Sequence, residues 1–200
     1  MRRILNILLI IGIIVVLGLI ARSLCLTDVD GENVYYALTL KEAYLLARRD
    51  IEDDGFQLHS LRSVDRDSVL NDLGLDGRRY FWGLWFNLSG TDEFLSVDIR
   101  NGNVIEIFEF NGYYGASDLI RKELIKLDSP EALKRAVDVA QLIPGEVWAI
   151  GYHFTLRHYP EGIIMSVIGL SPDRMFRRVN INLTTDEIEI IDKEHLFLTD

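Results

Sequence analysis

Two segments of this chain, about eighty residues apart, share the pattern of a β-hairpin. Both FLSVDIRNGNVIEIFEF (94–110) and RRVNINLTTDEIEII (177–191) alternate apolar and polar residues on either side of a turn. Alternation with a period of two predicts β-strands with one buried face. The first hairpin turns at Asn101-Gly102, residues that tolerate the positive φ angles of tight turns, and the second turns through a longer loop. The chain is therefore predicted to build the same unit twice.

A helical pattern precedes each group of strands. The strings LKEAYLLA (40–47) and LKRAVDVA (133–140) share the order Leu, Lys, any residue, Ala, an apolar residue, any two residues, Ala. Their apolar side chains recur at helical spacing, and the small alanines let a helix approach a sheet closely. Thr39 and Glu42 have the spacing of a capping box, and Ser129, followed by proline, is predicted to cap the second helix.

Four strands are predicted after each helix. They lie at 56–64, 79–88, 94–100 and 104–110 in the first unit, and at 147–156, 163–169, 175–183 and 187–191 in the second. The predicted fold class is therefore α+β, with two repeated modules that each pack a helix on three to four antiparallel strands. The modules are predicted at 38–112 and 128–200, with a connector helix within 113–127.

The N-terminal segment is the most apolar part of the chain. Ile4 to Ala21 contains a single polar residue, Asn6. At a rise of about 1.5 Å per residue, a helix of this length spans roughly 27 Å, close to the hydrocarbon thickness of a bilayer. This predicts a transmembrane signal-anchor within 1–25 that contacts membrane lipid through residues 4–21, followed by a linker at 26–37.

The basic residues beside this apolar segment predict its orientation. Arg2 and Arg3 precede it and place the N-terminus in the cytoplasm, so a single-pass cell-membrane protein with its C-terminal part outside is expected. A cleaved signal peptide is the alternative, because Ala21 and Ser23 are small residues at the positions that signal peptidase reads. Cys25 is the only cysteine, which excludes an intramolecular disulfide, and the residues before it do not fit a lipidation motif.

The charge of the chain excludes one class of partner. Three of its 21 basic residues and none of its 31 acidic residues precede residue 26. The remainder thus carries 18 basic and 31 acidic side chains, a formal net charge of −13. Such an acidic domain is repelled by phosphate backbones, so no nucleic-acid partner is predicted.

Motifs that carry known chemistry are absent from the sequence. There is no nucleophile elbow, zincin helix or phosphate-binding loop. The polar turns at 28–33 and 72–77 lack the glycine and glutamate spacing of a calcium loop. His153 and His158 are five residues apart near one strand and are expected on opposite faces. No catalytic, cofactor-binding or metal-binding residue is therefore predicted, and the protein is expected not to be an enzyme.

The first closing hairpin resembles that of the PepSY domain, in which one helix is followed by three or four antiparallel strands. The residues that match are Asp98, Asn101, Gly102 and Val104. The second unit departs from the family pattern, because Asn180 replaces the aspartate and its turn has no glycine. The resemblance implies a binding or regulatory module outside the cytoplasm that modulates a protease. It implies no catalytic residue.

One predicted strand, YFWGLWFNL at 80–88, is apolar on both faces. One face suffices for the core, while the other carries Phe81 and Trp85 on either side of Gly83. A strand with two apolar faces needs two covers, and one helix per module supplies only one. The second cover is the segment 65–77, the sister module or another protein, so Phe81 and Trp85 are the candidate partner-binding residues.

The function predicted from these features is that of a membrane-anchored, extracytoplasmic module that binds a protein or peptide and regulates it, with a cell-envelope protease as the implied target. Edge-strand addition and an aromatic groove are the two predicted binding modes. An extracytoplasmic hydrolase of unknown substrate and a passive structural subunit of a membrane complex are the alternatives. A cleft with converging ionisable side chains would favour the hydrolase.

Overall fold

One antiparallel sheet of eight strands dominates the described chain. The computed structural model describes residues 36–64, 73–112, 119–146 and 150–193. The strands, numbered in chain order, are β1 (Phe56–Ser63), β2 (Phe81–Leu88), β3 (Glu93–Arg100), β4 (Asn103–Asn111), β5 (His153–Tyr159), β6 (Gly162–Leu170), β7 (Phe176–Asn182) and β8 (Ile188–Lys193). Every neighbouring pair is antiparallel.

The strands of the two halves are arranged symmetrically about the centre of the sheet. Their order is β4-β3-β2-β1-β5-β6-β7-β8. Each half of the chain contributes one four-stranded meander, and the first strands of the two meanders, β1 and β5, pair at the centre. At this seam Leu61 lies opposite Leu156. The last strand of each half, β4 or β8, is consequently an outer strand.

Two α-helices, α1 (Leu40–Asp50) and α2 (Ser129–Ala140), each precede one meander. The capping box of α1 is confirmed: the Thr39 hydroxyl accepts the Glu42 N–H at 3.2 Å, and the Glu42 carboxylate accepts the Thr39 N–H at 2.8 Å. The predicted cap of α2 is wrong by one residue, because Asp128 is the N-cap. The Ser129 hydroxyl instead accepts the N–H of Leu40 at 2.9 Å, so the first turns of the two helices contact each other.

Both helices contribute to one hydrophobic core with the same face of the sheet. The alanines of both helices that were predicted to face the sheet, Ala43, Ala47, Ala136 and Ala140, are buried in this core. The side chains of this core that come from the strands are Leu58, Leu61, Trp82, Leu84, Phe86, Leu95, Val97, Ile99, Phe154, Leu156, Ile163, Met165, Val167, Val179 and Ile181. The opposite face of the sheet, called the open face below, has no described helix on it.

The prediction of two separate helix-on-sheet modules is wrong. Hydrogen bonding continues from β1 to β5, and the buried side chains of both halves belong to a single cluster. The physical reason is that the first strand of each four-stranded meander has one edge whose backbone N–H and C=O groups lack partners. Pairing β1 with β5 gives hydrogen-bond partners to both of these edges. What persists from the predicted repeat is the order of elements, one helix and then four strands, in each half.

A buried arginine further joins the two halves. Arg79, just before β2, is fully buried and donates to the carbonyl oxygens of Ile150 and Tyr152, both at 3.0 Å. The Tyr152 N–H in turn donates to the Leu73 carbonyl at 2.8 Å. Gly151 packs so closely on the Leu73 backbone that a side chain there would overlap it. The loop before β2 is thus held by the residues that precede β5 in the other half.

The predicted membrane-spanning helix is not found in the described chain. The two α-helices have 11 and 12 residues, and no helix within the described ranges is long and apolar enough to cross a membrane. The predicted anchor at 1–25, and with it the basis for an extracytoplasmic location, lies outside the described residues, as does nearly all of the linker at 26–37. Of the predicted connector helix, the part from residue 119 onward contains one 3-10 turn, Lys122–Leu124.

Candidate binding surface

The open face of the sheet carries both candidate residues predicted from the sequence. In β2, Trp82 and its alternate neighbours point into the core, so Phe81, Gly83 and Trp85 point to the open face. Phe81 is only 5% exposed, and the Arg100 guanidinium lies 5.1 Å from its ring centroid. Trp85 is partly exposed. Of the two, Trp85 therefore offers the more accessible ring.

Trp85 begins a row of aromatic rings that runs to the edge of the sheet. Its ring meets that of Phe110 edge to face at 5.9 Å, and the Phe110 ring stacks on Phe108 at 6.3 Å. Phe94, which is buried, stacks on Phe110 at 5.3 Å and supports the row. We call Trp85, Phe110 and Phe108 the aromatic row. Its last member, Phe108, is 57% exposed on the outer strand β4.

The outer strand β4 is long, apolar and accessible. It has nine residues, and Ile105 and Ile107 are 52% and 42% exposed. Within the described ranges no strand pairs with its outer side. The other outer strand, β8, has six residues, of which Glu189, Asp192 and Lys193 are charged. Charged side chains and short length are common protections of a sheet edge, so β4 is the less protected of the two edges.

The electrostatic character of β4 is acidic. Its two ionisable side chains are Glu106 and Glu109, and neither forms an ion pair in the part of the chain that the structure describes. Glu106 also lies directly opposite Asp98 of β3. Like charges opposite each other are unfavourable in a sheet. The strand thus presents two carboxylates that a basic group would stabilise.

A shallow groove of about 700 Å³ lies on the second half of the sheet, over β6, β7 and β8. Four of its polar side chains are already engaged. Asn180 donates to Glu189 at 3.0 Å, Asn182 donates to the Glu161 carbonyl oxygen at 2.9 Å, and Glu187 accepts from Thr185 at 3.0 Å. The residues that line it include no serine, cysteine or histidine. Moreover, no group of three His, Cys, Asp or Glu side chains is arranged for a metal ion in the described ranges. The groove assembles no nucleophile with a base.

A buried serine and histidine do meet at the seam between β1 and β5. The Ser63 hydroxyl lies 3.2 Å from His153 Nδ1. That hydroxyl also accepts the N–H of Phe154 at 3.0 Å, and both side chains are buried. Neither lines the groove described above. The pair therefore ties two strands together rather than presenting a nucleophile.

Sequence reasoning missed Phe108 and Phe110. Their signal was present, because the alternation in β4 places residues 106, 108 and 110 on one face. Their exposure could not be predicted, since it depends on β4 being an outer strand. It also missed Arg62 and Arg157, which line a small dent with Trp85 and Gly83.

Comparisons with known proteins do not assign this surface to a family. A scan against protein-family models and searches of curated proteins and of solved structures found no match to this chain. The resemblance to the PepSY domain therefore stays a prediction.

Proposed function

We propose that this protein binds an extended segment of another protein, which adds as a further strand to the outer side of β4. The observation that carries the proposal is the exposed edge of β4, with three accessible apolar side chains beside unpaired backbone groups. Addition of a strand to a sheet edge is a recurring mode of peptide recognition, in which main-chain hydrogen bonds supply affinity and alternate side-chain contacts supply specificity.

The side chains of β4 favour an apolar segment. An added strand places alternate residues beside Phe108 on the open face and beside Ile107 on the helix face. Burying a whole Ile or Phe side chain contributes about 1.5–3 kcal/mol. Since roughly half of each side chain remains exposed in the free protein, each contributes about 1 kcal/mol on binding. The aromatic row extends this contact inward from the edge.

The charges of β4 favour basic residues in the segment. Glu106 and Glu109 have no ion-pair partner among the described residues, and β4 contains no Lys or Arg. A second copy of this chain is a poor occupant, because each copy has a net charge of −10 and would bring the same carboxylates. Along β4 the order is Glu106, Ile107, Phe108, Glu109, so the segment that matches the edge best has a basic residue at every third position and apolar residues between.

Binding of nine-residue peptides to the full chain tests the proposal. Fluorescence anisotropy is measured with a labelled peptide that repeats Val-Val-Lys three times, and with one that repeats Val-Val-Glu three times. We expect the valine–lysine peptide to bind more tightly. The double variant Ile107→Ser/Phe108→Ser should weaken its binding about tenfold or more, because about 2 kcal/mol of apolar contact is lost.

The matched control is Ile190→Ser on the other outer strand. Ile190 is 43% exposed, close to the 42% of Ile107, so Ile190→Ser matches the Ile107→Ser part of the double variant. This control should leave binding unchanged. Equal affinity of the double variant and the unaltered protein would refute binding at β4. That the partner is a protease is implied only by the PepSY resemblance and stays a prediction.

A further inference from the structure

Two tripeptides with the same pattern meet at the centre of the sheet. Ser60-Leu61-Arg62 in β1 and Thr155-Leu156-Arg157 in β5 each consist of a hydroxyl residue, a leucine and an arginine. One lies in each half of the chain, and they pair with each other along the seam. Both leucines are buried in the core. Since side chains alternate along a strand, the hydroxyls and arginines of both tripeptides point to the open face.

The antiparallel register arranges these four side chains as a square. Ser60 lies opposite Arg157 and Arg62 lies opposite Thr155, so the two arginines occupy diagonal corners. Diagonal neighbours in such a pair are about 7–8 Å apart, within reach of long side chains. Both arginines line the same small dent in the open face. Every corner of the square offers hydrogen-bond donors, and arginine offers no acceptor.

The two arginines have no carboxylate partner in the described part of the chain, although the protein is strongly acidic. Other arginines at the surface do have such partners. The partly exposed Arg135 pairs with Glu131 and Asp186, and the exposed Arg174 pairs with Glu146. Both Arg62 and Arg157 are exposed. Arg62 is also held in position, because its guanidinium lies 5.9 Å from the Trp85 ring centroid.

The enclosed space at this place limits the size of a ligand. The dent lined by Ser60, Arg62, Gly83, Trp85 and Arg157 is about 10 Å³. This is close to the volume of one water-sized probe and excludes an organic molecule from the interior. The ligand must therefore be a small ion or the charged end of a larger molecule that sits above the sheet.

An acidic side chain borders the dent on its other side. A Cβ atom at Gly83 would lie 3.9 Å from Arg62 Nε and 3.7 Å from Asp98 Oδ1. The Asp98 carboxylate repels an anion, so the favourable position is displaced from Gly83 toward Arg157.

We propose that the square of Ser60, Arg62, Thr155 and Arg157 binds an oxyanion, a phosphate or carboxylate group held between the two guanidiniums. Charge-assisted hydrogen bonds from arginine to these groups are the strong class of hydrogen bond, and the hydroxyls add neutral donors. The site is formed from both halves of the chain. It lies on the central strands, three strands away from β4, and does not depend on the peptide binding proposed above.

Titration of the full chain with inorganic phosphate tests the site. The arginine side-chain Nε–Hε resonances and the Trp85 indole resonance are followed by NMR at pH 7.5, with sodium chloride at matched ionic strength as the reference. We expect saturable shifts of Arg62, Arg157 and Trp85. Arg62→Gln and Arg157→Gln should each weaken binding about tenfold, as expected for the loss of one charge-assisted contact.

The control variant is Arg135→Gln, which changes a partly exposed arginine of α2 that has carboxylate partners. It should leave phosphate binding unchanged. A second arm repeats the titration with acetate and succinate, which distinguishes carboxylate from phosphate as the preferred group. The site is refuted if no oxyanion shifts these resonances more than chloride does, or if both glutamine variants bind phosphate as the unaltered protein does. Thermal melting by circular dichroism confirms that each variant is folded.

Discussion

Replacing Leu61 by alanine tests whether the two halves of the sheet share one core. Leu61 is 1% exposed and lies opposite Leu156, which is fully buried, at the only place where strands of the two halves pair in the described chain. A buried Leu→Ala change costs about 2–5 kcal/mol, because the transfer free energy is lost and a cavity remains. At the seam, β1 and β5 are each fixed by another strand and cannot collapse into the cavity. We therefore expect about 3–4 kcal/mol.

The location of the effect matters as much as its size. Domains of this kind have a free energy of unfolding of about 5–15 kcal/mol, so the variant should fold but unfold at lower urea concentration. Urea unfolding is followed by tryptophan fluorescence and by circular dichroism, and amide hydrogen exchange is measured in β6 and β7. With one core, Met165 and Val179 in the second half should lose protection together with the first half, in a single transition.

A control variant separates this effect from a general effect of the substitution. Leu45→Ala removes the same atoms from a side chain of α1 that is 49% exposed, and should cost less than about 0.5 kcal/mol. If amides in β2 and β3 exchange faster in Leu61→Ala while those of β6 and β7 keep their protection, the halves are independent and the argument for a shared core is wrong.

Three further changes have expected outcomes. Ser129→Ala removes the hydroxyl that accepts the Leu40 N–H at the first turn of α1, so it should lower the free energy of unfolding by about 1–2 kcal/mol, measured by urea unfolding. An unchanged urea midpoint would show that this contact between the two helices does not contribute to stability. Gly151→Ala should cost more than about 2 kcal/mol, because Gly151 has a φ of 79° and an added Cβ would overlap the Leu73 backbone. Gly90→Ala is the comparison: Gly90 has a φ of 80° but a Cβ there would meet nothing within 4 Å, so the change should cost only about 1 kcal/mol. Equal melting temperatures of the two variants would contradict this expectation. A hydrogen bond from Arg177 lowers the pKa of Asp192 below 3.8, so the stabilisation is fully present above pH 3.8 and is lost as pH falls through the lowered pKa. Asp192→Asn should therefore cost up to about 1 kcal/mol at pH 7, with the difference from the unaltered protein shrinking below pH 3.8 in urea titrations at each pH.

Local patterns predicted the strands because each strand buries one face. The alternation of apolar residues predicted both closing hairpins, and the turn at Asn101-Gly102 is confirmed, since both residues have positive φ and connect β3 directly to β4. One strand was misplaced. It was predicted at 147–156, of which 147–149 lie outside the described residues. β5 begins at His153, because Gly151 has a φ of 79° and forms an isolated bridge with Gly145.

The pairing of the two halves could not be predicted from such patterns. Alternation specifies which face of a strand is buried but not which strand lies beside it. Leu61 and Leu156 read equally well as core residues of two separate sheets or of one. The single sheet forms because the backbone groups on the facing edges of β1 and β5 need hydrogen-bond partners. That need arises only once the two meanders have formed, so no short segment of the sequence reveals it.

The sequence likewise predicted only the local part of the candidate surface, which side chains share a face. The pattern of β2 predicted that Phe81 and Trp85 share a face, and they do. It could not predict that Arg100 lies over the Phe81 ring, or that Phe108 lies on an outer strand. Arg62 and Arg157 are far apart in sequence, so only the seam brings them into one square.

The central position of β1 has a consequence for the protein while it is being made. Its hydrogen-bonding partner β5 is completed only after β4, the 3-10 turn and α2 have been synthesised. At about 5–20 residues per second, the first meander leaves the ribosome with one bare inner edge for roughly two to ten seconds. During that interval the backbone groups of β1 that later pair with β5 are open to any other extended strand.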